Sequence, residues 1–338
     1  SDSVMFFQMR RSTGACEKLH GAVIDHVGSN ETRVYREVKA LGAELEKIGG
    51  LTLEARTEAK VGLYFDWDNW WAIECSAGPS CELKYKDEIL NYYEALHRMN
   101  IPVDIVGEED ELDKYQMLIA PVLYMTKTGY DEKIRAFVKA GGTFVTTFFS
   151  GYADEHDKII LGGYPGKLKD IVGLWVEEED ALPKGKENSF VYKGTNYPAR
   201  LLCDLSHVRG AEVLATYDTD FYSGMPAITV NILGNGKAYY VATRSNPEFY
   251  RTFLKDICEE AGVKPIIEEQ DNLEVTERIN ENGSFLFLLN HGEKEIHVEL
   301  EYEGMDLITG KAYKTGEKVI LVNKDVKIIW EKKDKEEV

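Results

Sequence analysis

Between residues 60 and 262 the chain alternates short apolar runs with longer stretches whose apolar positions recur at helical spacing. Residues 61–65, 103–106, 117–120 and 143–149 are the short runs, and their length and flanking turn residues predict strands. Between them Glu88, Tyr92 and Leu96 fall on one helix beside Ile89, Leu90 and Tyr93, and residues 134–138 lie in another closed by Gly141 and Gly142. Strands apolar on both faces, joined through helices, predict an α/β fold: a flavodoxin-like, mostly parallel sheet covered on both sides.

The two ends carry different patterns. Residues 3–9 are an apolar run that predicts a core strand, breaking into a loop at Ser12, Thr13 and Gly14. From Thr32 onward Val34, Val38, Leu41, Leu45 and Ile48 keep helical spacing, with Gly49 and Gly50 expected to stop the helix. One strand and one helix bury too little apolar area to fold alone, so this opening reads as the end of something larger. The missing initiator methionine agrees with that, and equally with tag removal. From Pro265 the pattern shortens to residues 284–289, 296–300, 319–321 and 326–330, with Asn282 and Gly283 as a hairpin signal, predicting a small all-β sandwich. Residues 331–338 are charged and expected to fray. The expected divisions are therefore 1–53, 54–264 and 265–338.

Charge narrows the partners. Lys and Arg number 40 against 59 Asp and Glu, a net −19 that repels phosphate backbones and anionic lipid surfaces, so no nucleic acid is expected. No apolar run approaches a membrane span, and no membrane contact is expected. Five scattered cysteines suit a reduced, cytoplasmic compartment, and Cys75 with Cys81 lacks a second pair for zinc.

Candidate chemistry is sparse. The run 66–71 contains Asp66, Trp67, Asp68, Trp70 and Trp71 after the first strand of the sheet, where parallel sheets place ligands. Indole faces with carboxylates suit a sugar or cofactor platform, but tryptophan is also enriched at interfaces, and the interface reading is preferred. No G-x-G-x-x-G follows a strand, so no dinucleotide cofactor is expected. Ser150 and Gly151 suggest a nucleophile elbow with His156 nearby, but Phe148 stands where the first glycine belongs. The acidic run 177–180 reads as a solvated loop. No cysteine follows a strand where amidotransferase chemistry needs its nucleophile. Tyr92, Tyr93 and Trp175 exceed what one core requires and point to self-association. A free-standing ligand-binding or assembly module is the alternative to an enzyme.

Several long segments together resemble one family. FFQMRRSTGACEKLHGAVIDH (residues 6–26), TRVYREV (32–38), VGLYFDWDNWW (61–71), AGGTFVTTFFSG (140–151), LGGYPGKLKD (161–170), LNHGEKEI (289–296) and DLITGK (306–311) are similar to the β-galactosidases of glycoside hydrolase family 42, in the family's order. The resemblance implies a catalytic (β/α)8 barrel, an amidotransferase-like middle domain that builds a homotrimer, and a small β domain. This chain would begin at the last strand and helix of the barrel. A retaining glycosidase needs two carboxyl groups about 5 to 5.5 Å apart. By resemblance both glutamates precede Ser1, so no catalytic residue is expected in this chain and it should be silent alone. No metal enters the chemistry. Glu17 and His20, three apart, can share one side of a helical turn. The resemblance implies that they bind galactoside hydroxyls. The bland reading is that Glu17 pairs with Lys18 or Arg11 and that His20 is a buried structural histidine. Members carry Trp after FFQ where Met9 stands here, which weakens any stacking at that position.

Overall fold

The structure is a computed structural model and describes residues 2–333. It divides into two compact units, Ala59–Glu269 and the residues up to Glu58 together with those from Gln270.

The second of these begins without regular strands. Residues 2–31 hold a 3-10 turn at Cys16–Leu19 and a single parallel bridge, Arg10 to Ile24. The expected core strand over 3–9 is therefore not a strand here: Val4, Met5, Phe6, Phe7 and Met9 are exposed, and the Gln8 and Met9 carbonyls accept from the Val23 and Ile24 N–H groups at 3.0 and 2.8 Å without a strand forming. Helix α1 (Arg33–Thr52) starts where expected, the Thr32 hydroxyl accepting from Tyr35 N–H at 3.3 Å. It passes through Gly49 and Gly50 and ends at Leu53, because neither glycine adopts the left-handed backbone that stops a helix. Of its apolar stripe only Ile48 is buried.

In Ala59–Glu269, strand β1 (Val61–Tyr64) leads into α2 (Trp67–Cys75) and α3 (Tyr85–Arg98). Then come β2 (Val103–Val106), β3 (Met117–Ala120), α4 (Tyr130–Ala140) and β4 (Thr143–Thr147). A short α5 (Lys169–Val172) precedes β5 (Leu174–Ala181), β6 (Asn188–Tyr192), β7 (Thr195–Val208), β8 (Glu212–Thr216), β9 (Pro226–Leu233), β10 (Gly236–Val241) and β11 (Thr243–Arg244). Helix α6 (Pro247–Ala261) closes the unit, capped by the Asn246 side chain.

The main sheet has seven strands in the order β2-β1-β3-β4-β10-β9-β8. From β2 to β10 neighbours run parallel, with Val61 beside Met117, Met117 beside Thr143 and Thr143 beside Lys237. Strands β9 and β8 are antiparallel, so the sheet is mixed. Every residue of β1, β3 and β4 is buried, as strands covered on both faces must be. A further sheet joins β11, β7 and β5, with β6 on β7. This corrects the reading of residues 177–180 as a loop: they lie in β5, with 178–180 paired with β7 and Glu177 at an irregularity. Tyr92 also departs from expectation, being buried against Tyr250 rather than offered to a partner, while Tyr93 is exposed and Trp175 stacks on His207.

The tail is all β: β12 (Leu273–Asn280), β13 (Gly283–Asn290), β14 (Ile296–Glu299), β15 (Gly304–Asp306), β16 (Ala312–Tyr313), β17 (Lys318–Leu321) and β18 (Val326–Lys332). Five of these form an antiparallel sheet and β14 pairs with β17. The hairpin at Asn282 and Gly283 is present, with Asn280 opposite Gly283 and Gly283 at φ +135°. Glu331 and Lys332 extend β18, and residues 334–338 of the expected frayed end lie outside the described residues. Ile48 and Ala55 pack with Phe285, Leu307 and Ile328. Asn280 Nδ2 donates to the carbonyls of Leu51 and Leu53 at 2.8 and 3.0 Å, so the end of α1 and the tail sheet share one core.

Candidate functional site

Two places carry the candidate residues. The first is the turn Cys16–Leu19, where the His20 N–H donates to the Glu17 carbonyl at 2.9 Å. His20 follows the turn in extended backbone, so this bond joins it to Glu17 through the main chain. Both are exposed. Arg11 braces this turn from below. Its guanidinium holds Asp25 through Nη1 at 2.8 and 3.0 Å, and donates to the carbonyls of Lys18 at 3.2 Å and Leu19 at 2.8 Å. The Arg11 hydrogen bond, with the His26 N–H adding to it, keeps the Asp25 carboxyl below its ordinary value, so the brace stays charged. His26 Nε2 contacts the Ser12 carbonyl at 2.7 Å, tying the other side of the loop.

The bland alternative for the pair meets different contacts in this structure. Arg11 is engaged by Asp25 rather than Glu17, Lys18 Nζ donates to the Ala15 carbonyl at 3.3 Å, and His20 is not buried. Arg10, Arg11, Ser12, Asp25 and His26 line an open groove that does not include Glu17 or His20. An exposed carboxylate acceptor beside an imidazole that can donate or accept suits neutral hydroxyls. Met9 is exposed beside the loop. The Arg11 brace has no sequence signal, since an ion pair spanning a patternless loop leaves no periodicity to read.

The second place is the carboxyl end of the parallel strands. Asp66 caps α2 by accepting the Asp68 N–H at 3.1 Å. Helix α2 is then pinned by fully buried Asn69, whose Nδ2 donates to the Val122 carbonyl and whose Oδ1 accepts from the Met125 N–H, both at 2.8 Å. Trp67 stacks on Trp70 at 5.3 Å, with Phe65 edge-on to both. Trp67 and Trp71 are 56% and 57% exposed.

The carboxylates that a sugar platform would need are occupied, in keeping with the preferred interface reading. Lys127 Nζ lies 3.1 Å from Asp66, 2.8 Å from Asp68 and 3.4 Å from Glu108. Burial opposes the charge on Lys127, but the hydrogen bonds of Asp68 and Asp66 outweigh it and hold its pKa above the usual lysine value. Carboxylates already held by a lysine under exposed indoles suit a contact surface more than a hydroxyl-binding pocket. The Ser150 hydroxyl contacts Thr146 Oγ1 and accepts from the Leu123 N–H, both at 2.9 Å, so it anchors a loop and is no nucleophile paired with His156. Cys75 and Cys81 are free and exposed. No described helix is long and apolar enough to cross a membrane.

The mixed α/β sheet unit, followed in sequence by a small all-β region, defines a class of multidomain architecture that comparisons with known proteins narrow to one family. The family model described as the β-galactosidase trimerisation domain matches residues 59–264, that of β-galactosidase matches 1–48, and that of the β-galactosidase C-terminal domain matches 272–329. The chain belongs to the β-galactosidases of glycoside hydrolase family 42. A β-galactosidase of Planococcus sp. (strain 'SOS Orange') is 50% identical over 306 residues, 89% of this chain and 45% of that protein. One of Lactobacillus acidophilus is 41% identical over 317 residues, 93% of this chain and 48% of that protein. The crystal structure of a β-galactosidase from Bacillus circulans sp. alkalophilus superposes with a TM-score of 0.93 at 46% identity, covering 96% of this chain and 49% of that one. The chain thus spans about half the length of the relatives it matches.

Proposed function

We propose that these residues serve a retaining β-galactosidase that hydrolyses terminal β-D-galactosyl groups. In this reading residues 1–53 supply the closing strand, loop and helix of a (β/α)8 barrel, 54–264 a flavodoxin-like assembly domain, and 265–338 a β-sandwich. The order β2-β1-β3-β4-β10 has the 2-1-3-4-5 pattern of flavodoxin-like sheets, which supports the middle assignment. The observation that carries the barrel reading is the opening segment. Met5 is 89% and Phe7 72% exposed, Val34 and Leu45 of α1 face water, and an apolar face of that kind is stable where another surface covers it.

Glu17 and His20 then bind galactose hydroxyls from the loop after the last barrel strand, where barrels gather their substrate contacts. The two catalytic carboxyls lie outside the 338 residues, which do not hydrolyse galactosides alone. Three copies assemble through the middle domain, with Trp67 and Trp71 in the contact. The five unpaired cysteines suit a cytoplasmic setting. The match to the trimerisation domain over most of the middle region favours this reading over an unrelated free-standing module.

A chromogenic β-galactoside tests it in two forms. The 338-residue chain should give no turnover above buffer. In the β-galactosidase polypeptide that contains it, Glu17→Gln and His20→Ala should lower kcat/KM by roughly 10-fold to 100-fold, the loss of hydrogen bonds involving a charged acceptor. Enzyme-like turnover by the 338 residues, or unchanged kinetics in both variants, overturns the assignment. Sedimentation of a single-copy species at micromolar concentration overturns the assembly role.

A further inference from the structure

Within the larger unit lie two carboxyl groups that neither place above uses. Asp204 of β7 and Glu179 of β5 are direct cross-strand partners, and opposed residues of an antiparallel pair point to the same face. Asp204 is fully buried. Its Oδ2 accepts from the Tyr240 hydroxyl at 2.5 Å and from the Phe149 N–H at 3.3 Å. Its Oδ1, equally buried, has no hydrogen-bond partner.

The groups around the pair are Tyr240 from β10, Tyr217 and Tyr222 from the β8–β9 connection, Asp180 beside Glu179, and Cys203 beside Asp204. None is a cation, and among the described residues no basic side chain figures among the influences on either carboxyl. Two ionised carboxylates side by side in such a place need a counter-charge. A metal could supply it, but among the described residues no three His, Cys, Asp or Glu side chains converge to hold one. The proton is the counter-charge that remains. Burial pushes the Glu179 carboxyl up to about 7. At Asp204 burial, with Glu179 adding to it, outweighs the hydrogen bonds from Tyr240 and Phe149 that favour the ionised form and holds the carboxyl well above the ordinary aspartate value, so ionisation drives the group toward water.

What Asp204 holds gives the proton a consequence. Phe149 comes after β4 in a left-handed backbone, φ +58°, that a bulky residue rarely adopts. Beyond it the Gly151 N–H donates to the Leu123 carbonyl at 2.7 Å, and the Leu123 N–H donates to Ser150 Oγ, so the loops after β3 and β4 are tied together. The burial of Asp204 keeps sugars away from it, which separates the pair from the carboxyls of a glycosidase site.

We propose that Asp204 and Glu179 form a proton-operated latch on the loop 148–153, docked while the pair retains a proton and released when both carboxyls ionise. The test is amide hydrogen exchange of the whole chain between about pH 5 and pH 9, corrected for intrinsic exchange, with infrared absorption of protonated carboxyl groups alongside. Wild-type protection at Phe149, Gly151 and Leu123 should fall above neutrality, by up to about tenfold per pH unit, the limit for one linked proton. Asp204→Asn stays neutral at every pH and keeps an acceptor for Tyr240 and Phe149, so its protection should be flat and its infrared spectrum should lack one protonated carboxyl band. Glu179→Gln, at a half-buried position that tolerates the change, should weaken the pH dependence even if Asp204→Asn fails to fold. Protection that ignores pH in the wild type, an equal pH dependence in the variants, or the absence of a protonated carboxyl near pH 6 overturns the proposal.

Discussion

Asn69→Ala isolates the joint that positions the Trp67–Trp71 surface. The wild-type amide bridges two buried backbone groups, the Val122 carbonyl and the Met125 N–H, each at 2.8 Å. Alanine removes both partners, and because Val122 is fully buried and Met125 nearly so, water does not replace them. An orphaned buried polar group costs about 1–3 kcal/mol, so two cost about 4 kcal/mol. At about 2–4 °C per kcal/mol for a unit of this size, the midpoint of thermal unfolding should fall by about 8–16 °C. Circular dichroism on heating measures the midpoint, and a urea titration the free energy. Asn69→Asp is the sharper control. It keeps the acceptor for Met125 but sets a carboxylate against the Val122 carbonyl and near Asp66 and Asp68. Its folded pKa is therefore raised, so its stability is greatest in acid, where the protonated group donates to Val122, and is lost as pH rises through that folded pKa. Compared with wild type at each pH, Asn69→Asp should be worse than alanine at neutrality and recover in acid. A loss below about 1 kcal/mol in Asn69→Ala, or no acid recovery in Asn69→Asp, refutes the reasoning.

Further outcomes rest on buried contacts and close packing. Glu88, 1% exposed, accepts from Arg244 Nε at 2.6 Å, and Glu88→Gln should cost about 3 kcal/mol, the lower end for a broken buried pair because Arg244 is 22% exposed. Urea unfolding should show most of that loss returning in Glu88→Leu with Arg244→Met, since apolar replacement leaves no unpaired charge. Gly151 sits at φ +68°, and a Cβ added to it would lie only 2.1 Å from the Pro165 carbonyl oxygen, so Gly151→Ala should cost at least about 2 kcal/mol. Gly49→Ala, in a helix with open space around it, should instead gain about 0.5–1 kcal/mol by the same measurement.

The contrast between these glycines shows what a sequence can and cannot disclose. Gly141 and Gly49 look alike beside their helices, yet Gly141 turns left-handed at φ +122° and ends α4 while Gly49 stays helical. The difference comes from the chain beyond each glycine: β4 must enter a buried sheet at once, whereas α1 continues until Ala55 and Asn280 fix its end. Strands β1, β3 and β4 were legible because both their faces are buried, which leaves short, largely apolar runs between turn residues. Residues 3–9 carry a similar composition but reach only Val23 and Ile24 here, and residues 178–180 carry charges yet pair with β7, so composition does not decide pairing that depends on distant chain.

The same limit governs the sites. The three-residue spacing of Glu17 and His20 could be read because it is local, and the bond from the His20 N–H to the Glu17 carbonyl is what such spacing encodes. Their brace could not, because Arg11 acts through Asp25 and two backbone carbonyls. Lys127 lies 59 positions from Asp68 and becomes its partner only after β1 and β3 have paired. Asp204 and Glu179 meet only because β5 and β7 adopt one register past the irregularity between Val176 and Glu178. A shift of one residue there would send Glu179 to the opposite face and leave Asp204 without its neighbour, so the bulge that spoils the pattern in sequence is what brings the two acids together.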